Sequence, residues 1–386
     1  MPIEIASIED VFAASTDLTV GIEEEFAVLD PGTLDMVARF EELRDAAGEL
    51  DPVLFEAITG ELIASEIEII SGRGDDLQHA LSRQREARRR LFALAADRGV
   101  ALGSTGTHPW ADYREQRNID TEHYRRVVEG LGYVARRNNT FSLHVHVGVN
   151  DIDRAIGACD RLRPVLPMLL AVSASSPFLE GEDTRLHSVR TQTFTKSFPR
   201  CGVPDAFGSW PAFREYLELL VRTNSVQEYT QMWWSIRPHA SFGTIEVRVC
   251  DAQITAAESE DLAGLIVASV GQALRDIDDG VPFADPAPRL IEENMWRATR
   301  YGMDGRMIDL RLRAEIDART VLDDLLAWTA PVREELRLDL AFDRPNGAQR
   351  QRAALQDASA TGGDLREVYA STVRETMTTY AQEVPA

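Results

Sequence analysis

Three stretches decide how this chain reads: Gly21-Ile22-Glu23-Glu24-Glu25-Phe26, Leu143-His144-Val145-His146-Val147 and Thr244-Ile245-Glu246-Val247-Arg248-Val249. Each alternates apolar side chains with acidic, imidazole or guanidinium ones. Alternation with a period of two marks a β-strand that has one face in a core. Glu23 and Glu25 therefore share a face, as do His144 with His146 and Glu246 with Arg248. Leu143, Val145, Val147 and Val149 supply the apolar face of the second strand, and Ile245, Val247 and Val249 that of the third. Glu24 breaks the pattern by falling with Val20, Ile22 and Phe26, for which a bulge or an edge position is the expected cause. A fourth strand is expected between Glu61 and Ser71. It places Ile63, Ser65, Ile67 and Ile69 on one face and Glu66 and Glu68 on the other. Glu61 reaches the same centre only if the backbone bends.

Carboxylates and imidazoles gathered on one face are costly unless positive charge lies between them. Divalent cations and nucleotide phosphate meet that demand, and neighbouring arginines clamp phosphate oxygens. Taken singly, each segment has a plainer reading. Glu246 with Arg248 is then a surface ion pair worth roughly 0–1 kcal/mol. The histidines are a hydrogen-bonded pair, and Glu23–Glu25 a solvated acidic run. Zinc on His144 and His146 is a further alternative, but the surplus of carboxylates favours magnesium or manganese. Four strands with polar faces of matching character favour one shared centre.

Composition narrows the partners. The chain has 386 residues, 44% hydrophobic and 27% charged, as expected of a soluble globular protein with a large core. A net charge of −22 speaks against nucleic acid and against an anionic membrane surface. Lys196 is the only lysine, so neither a Walker A loop nor a kinase-type lysine is available to hold a nucleotide. Three widely spaced cysteines, Cys159, Cys201 and Cys250, read as reduced thiols of a cytoplasmic protein. Met1-Pro2-Ile3-Glu4 does not read as the start of a signal peptide, and no apolar run is long enough to span a bilayer.

Along the chain, a strand is expected over residues 20–29. A helix is expected after the Asp75-Asp76 cap, running to Arg98-Gly99, with a short strand from Val100 to Gly103. A helix opening at Asp120 should bury Tyr124, Val127, Leu131 and Val134. Another from Asp153 should be divided by Pro164 and Pro167. Residues 184–210 are long for a plain connection and read as a substrate loop or lid. Residues 213–222 should be helical. Residues 229–237 and 244–250 should pair as antiparallel strands. A helix is expected over 257–277, and residues from 288 onward should be mainly helical. No linker stands out, so one α+β unit spanning 1–386 is expected, with a core of about 18–310 and a helical extension over 311–386.

Several motifs together resemble a known group. They are Gly21-Ile22-Glu23-Glu24-Glu25-Phe26, Gly106-Thr107-His108-Pro109, Gln116-Arg117-Asn118, His144-Val145-His146-Val147-Gly148, Arg237-Pro238-His239, Gly243-Thr244-Ile245-Glu246-Val247-Arg248 and Trp296-Arg297-Ala298-Thr299-Arg300-Tyr301-Gly302. In this order, over about residues 18–310, they are similar to the carboxylate–amine ligases, also called the glutamate–cysteine ligase type 2 family. The resemblance implies a glutamine-synthetase-like catalytic domain: a curved, mainly antiparallel sheet of about six strands with helices on its convex side. It implies ATP and two or three Mg2+ or Mn2+ ions. Glu23, Glu25, Glu68, His144 and Glu246 become metal ligands, His146 a neighbour of nucleotide phosphate, and Arg248 and Arg237 phosphate contacts. Arg190 and Lys196, in the 184–210 segment, are candidates for the substrate α-carboxylate.

The implied reaction is ATP-dependent amide formation through γ-glutamyl phosphate, yielding γ-glutamylcysteine, ADP and phosphate. That would be a step of thiol biosynthesis in the cytoplasm, on small-molecule substrates and compatible with a homo-oligomer. Joining a different amine or carboxylate by the same mechanism is the nearest alternative. A zinc-dependent hydrolase on His144 and His146 and a non-catalytic nucleotide-binding protein are the more distant ones.

Overall fold

The computed structural model describes residues 5–382; Met1–Glu4, where a signal peptide was not expected, lie outside the described residues. Among the described residues the main sheet holds seven strands: β1 (Val20–Leu29), β2 (Ile58–Thr59), β3 (Glu66–Ile70), β4 (Ala101–Gly103), β5 (Ser142–Gly148), β6 (Ile236–His239) and β7 (Thr244–Asp251). Their order is β2-β3-β1-β5-β7-β6, with β4 paired to the far end of β1, and every pairing is antiparallel. The alternation predicted for the strands holds. Val20, Ile22, Leu143, Val145, Val147, Ile245, Val247 and Val249 all enter one core with the helices Ile152–Leu162, Leu166–Ser173 and Ala256–Asp278. Phe26, Val28, Ile67 and Ile69 pack a second core with the helix Leu77–Asp97. Each such side chain contributes roughly 1.5–3 kcal/mol by leaving water. The helices cover this face, and the opposite face is left to the polar side chains.

Glu24 needs neither a bulge nor an edge. The β1–β3 register runs unbroken from Glu23 to Ala27, and β1 is central. Its carboxylate is instead neutralised inside the core. Arg88 of Leu77–Asp97 makes a bidentate pair with it at 2.7 Å for both contacts, Gln84 donates at 2.8 Å, and Ser259 donates to it. Arg88 also bonds Glu260 at 2.7 Å. The cluster ties a strand and two helices together where an unpaired charge would be prohibitive.

Other expectations are adjusted by packing. The helix Glu122–Leu131 is capped by Thr121, not Asp120, and buries no residue fully; Tyr124 packs partly buried against the second core, and both it and Val127 line a cavity. Pro164 and Pro167 do divide their helix, through a short 3-10 turn at Arg163–Val165. Of the 229–237 stretch only Ile236 and Arg237 are strand, the start of Ile236–His239, and Tyr229–Gln231 is a 3-10 turn. Pro238, which lacks an N–H, is tolerated there because β6 is the sheet edge. The 184–210 segment is not open loop throughout: Val189–Thr195 is helical and half of it is buried. Beyond residue 302 a hairpin, Arg306–Asp309 with Ala314–Asp317, precedes three helices.

The last helix, Leu365–Ala381, returns to the core. Tyr380 stacks on Phe92 at 5.5 Å and meets Phe26 edge-on at 5.2 Å. Its hydroxyl donates to the Gln253 carbonyl at 2.8 Å. No described helix is long and apolar enough to cross a membrane. The three cysteines are free, and burial pushes the Cys201 and Cys250 thiols up to about 11 and about 12.

Candidate active site

Strand register assembles the polar face row by row. Glu23 of β1 lies opposite His144 of β5, and Glu25 opposite Glu68 of β3. His146 faces Glu246 of β7, which in turn faces Arg237 of β6. A bulge between Leu143 and Val145 shifts the β5–β7 register where β7 delivers Arg248. Residues that are up to 223 positions apart in the chain (Glu23 and Glu246) thus share one centre.

Three triads follow from this arrangement: Glu25, Glu61 and Glu68; Glu23, Glu68 and His144; and Glu23, His146 and Glu246. In each, one ligand atom per residue lies within 4.8 Å of the others. Glu68 and Glu23 each belong to two triads, so the three form a continuous row. Glu61 joins because the chain does bend between β2 and β3. Its acidic spacing to Glu66 and Glu68 was the available signal. His146, expected beside phosphate, stands in the triad with Glu23 and Glu246. His239, two residues from Arg237 and thus on its face, was legible by the same rule that found His146 and was not singled out. Its ring stacks on Phe242 at 4.4 Å, and its Nε2 lies 4.0 Å from Glu246.

The charge balance differs along the row. Burial opposes charge on Glu246, but Arg237 (Nε to Oε2, 2.6 Å) and Arg248, which donates to its other oxygen, hold its carboxyl well below the usual range. Burial likewise opposes charge on Glu23, yet His146 and His144, each 3.1 Å away, hold it well below that range. At the other end compensation is lacking. Burial and then the Glu25 charge push Glu61 up to about 8 and Glu66 well above the carboxylate range. Burial and then Glu23 do the same to Glu68. For His146 the burial penalty is outweighed by Glu23 and Glu246, which raise it. Burial and Arg248 lower His144, and burial takes His239 down to about 3.

These residues fit divalent cations. Glu66 Oε2 is buried with no hydrogen-bond partner, and the acidic end of the row is short of positive charge. Oxygen-rich sets with one imidazole suit Mg2+ or Mn2+. His144 and His146 fall in different triads, which disfavours one zinc held by both.

Two cavities flank the row. One, of about 450 Å³, is lined mainly by apolar groups including Val11, Val20, Ile22, Ile70 and Phe242, with Glu23 and His146 at its inner end. The other, of about 300 Å³, is lined by Glu25, Glu61, Glu66, Arg190, Arg237 and Arg248. Its wall also includes Tyr124, Phe198 and Trp233. Arg190 thus lines the second cavity. Lys196 does not line either cavity; it pairs with Glu292 at 2.7 Å and is 53% exposed. His108 of the Gly106–Pro109 motif is structural, bonding the Leu34 carbonyl at 2.8 Å and accepting from the Trp110 and Ala111 amides.

Comparison with known proteins finds likenesses in sequence and in fold. Residues 19–371 match the family model described as glutamate–cysteine ligase family 2, which takes in most of the helical tail as well. A protein of Solibacter usitatus, provisionally named glutamate–cysteine ligase 2, is 38% identical over 366 residues, covering 93% of both chains. One of Rubrobacter xylanophilus with a similar provisional name is 36% identical over 361 residues, 93% of this chain and 91% of the other. Among solved structures, a glutamate–cysteine ligase of Francisella tularensis in complex with AMP superposes with a TM-score of 0.64 at 12% identity. That match covers 95% of this chain and 91% of the other. A bifunctional glutathione synthetase of Pasteurella multocida gives 0.64 at 13%, covering 97% and 54%. Those two likenesses concern the fold.

Proposed function

Because this chain belongs to glutamate–cysteine ligase family 2, we propose that it is an ATP-dependent carboxylate–amine ligase that joins the γ-carboxylate of glutamate to the amine of cysteine. The observation that carries this reading is the row of three overlapping triads between two cavities of opposite character. An apolar cavity with the exposed Phe242 ring suits a nucleobase, and a polar one with three arginines suits an amino acid. The transferred phosphoryl group would then cross the row that joins them. Two or three Mg2+ or Mn2+ ions held by Glu23, Glu25, Glu61, Glu68, His144, His146 and Glu246 would supply positive charge to phosphate oxygens.

The chain's own groups do the rest. A glutamate γ-carboxylate oxygen bonds to the γ-phosphorus as the bond to the bridging oxygen of ADP breaks. Arg237 and Arg248, aimed by Glu246, stabilise the negative charge spread over the moving group. The amine nitrogen then attacks the acyl carbon, phosphate leaves, and the nitrogen loses a proton. Burial of Glu25, Glu68, His144, His146 and Glu246 limits the water that would otherwise hydrolyse the acyl phosphate. No protein nucleophile is required, in keeping with the raised thiol pKa of Cys201.

The test is ADP release from MgATP with glutamate, alone and with cysteine or a panel of other amines. Glutamate-dependent release, stimulated most by cysteine, is expected. Glu246→Gln and His144→Ala should abolish it while the far-UV circular dichroism stays native. Wild-type turnover in both variants would overturn the site assignment, and stimulation only by another amine would replace cysteine as acceptor.

A further inference from the structure

Arg190 reaches the amino-acid cavity from the helix Val189–Thr195, and the way it is held is unusual. It is 5% exposed. Its Nη1 donates to the Val249 carbonyl at 3.3 Å and its Nη2 to the Arg248 carbonyl at 3.2 Å. Its Nε has no partner although it is buried. The guanidinium as a whole forms part of the cavity wall, where an anion from the ligand would be its natural partner.

Behind it lies Asp251, the last residue of β7, with no exposed surface. Its Oδ1 lies 3.7 Å from Arg190 Nη1 and accepts from Ser188 Oγ at 2.8 Å. Its Oδ2 accepts from the Ser175 amide at 2.9 Å and Ser176 Oγ at 2.7 Å. Ser188 is also the N-cap of the helix that carries Arg190, and Ser176 Oγ accepts from the Arg190 amide at 3.2 Å. The Thr299 carbonyl accepts from the amides of His187 and Ser188 at 2.7 and 3.2 Å, holding the same corner from the other side. Gly106 closes over Asp251 so tightly that a Cβ there would lie 2.6 Å from its Cγ. Two of the sequence motifs, around Gly106 and Thr299, thus converge on a carboxylate that does not line either cavity.

We propose that Asp251 is a positioning residue that fixes Arg190 as the receptor of the substrate's α-carboxylate, so that the site prefers an α-amino acid to the same molecule without that carboxylate. This rests on the ligase reading above and deepens it. The Asp251 charge and its serine bonds lock the helix start to the end of β7. The two carbonyls then hold the guanidinium against the wall of the cavity.

Isothermal titration of the full-length protein with L-glutamate and with 4-aminobutyrate, which is glutamate lacking the α-carboxylate, tests this. Mg2+ and the non-hydrolysable analogue AMP-PNP are present throughout. Wild type should bind glutamate at least about tenfold more tightly than 4-aminobutyrate, the scale of one charge-assisted hydrogen bond. Arg190→Gln should bind the two about equally, and Asp251→Asn should lose most of the preference, both with AMP-PNP affinity unchanged. If Asp251→Asn does not fold, the double variant Ser176→Ala/Ser188→Ala takes its place with the same expectation. A preference that survives in Arg190→Gln, or that is unaltered in the Asp251 or double-serine variant, overturns the proposal. So does a wild type that binds AMP-PNP but does not distinguish the two ligands. Failure of wild type to bind AMP-PNP at all would instead overturn the ligase reading.

Discussion

Glu68→Gln should make the metal-free protein more stable and the metal-loaded protein less so. Glu68 is 5% exposed and belongs to two triads. Burial and the charges of Glu23, Glu61, Glu25 and Glu66 push its carboxyl well above the ordinary range. Two full charges 4.8 Å apart repel by about 3.5 kcal/mol at an effective dielectric of 20. Its neighbour Glu61, moved from 4.5 to about 8, sets a ceiling of about 4–5 kcal/mol for such a penalty at high pH. Partial protonation reduces both figures, so a gain of about 1–3 kcal/mol is expected at pH 8 without metal.

The sign follows from proton linkage. The folded apoprotein retains protons on these carboxyls that the unfolded chain has already released. Wild-type apoprotein stability therefore falls as pH rises from about 4.5 towards 8, and the advantage of the variant shrinks towards pH 5. Bound cations reverse the order: saturation to about 100 times Kd adds about 2.7 kcal/mol to wild type, and the variant, with two triads each short of a carboxylate, gains much less. Scanning calorimetry in EDTA and in Mg2+, at pH 6 and pH 8, reads all four conditions. A variant with wild-type metal stabilisation, or one less stable than wild type as apoprotein at pH 8, would refute the idea of an anionic row awaiting cations.

Three other outcomes are expected. Arg88→Met alone should cost about 3–5 kcal/mol in urea unfolding, because it strands the buried Glu24 charge, and Glu24→Gln should cost less, because Arg88 keeps Glu260; Glu24→Leu with Arg88→Met together should cost far less than their sum. Tyr380→Ala should cost about 3–5 kcal/mol through the cavity left against Phe26 and Phe92, which calorimetry would detect as a lowered Tm. Phe242→Ala should raise KM for ATP while leaving KM for glutamate nearly unchanged; an effect confined to glutamate would reverse the roles given to the two cavities.

Much of the polar face was legible because period-two alternation is a local property. Glu23, Glu25, Glu68, His144, Glu246 and Arg248 announced a common face on separate strands, and pairing then set them side by side. Glu61 was not legible to the same degree, since it lies in the turn before β3, where no period applies. Tyr124 and Val127 showed an apolar helical stripe, but a stripe does not distinguish a core from the wall of a cavity. Lys196 carried the right charge in the right segment, yet it faces Glu292.

The alternation of side chains, the caps and the prolines determined where strands and helices form and which face of each strand is polar. Those choices depend on neighbours a few residues away. Tertiary structure alone decided which charges meet. Glu24 finds Arg88 64 positions on, Arg190 is held by Asp251, and the last helix closes the core around Phe26. Burial makes each of those charges expensive, and only a partner brought close by the fold offsets it, so their roles depend on distances that no local pattern encodes.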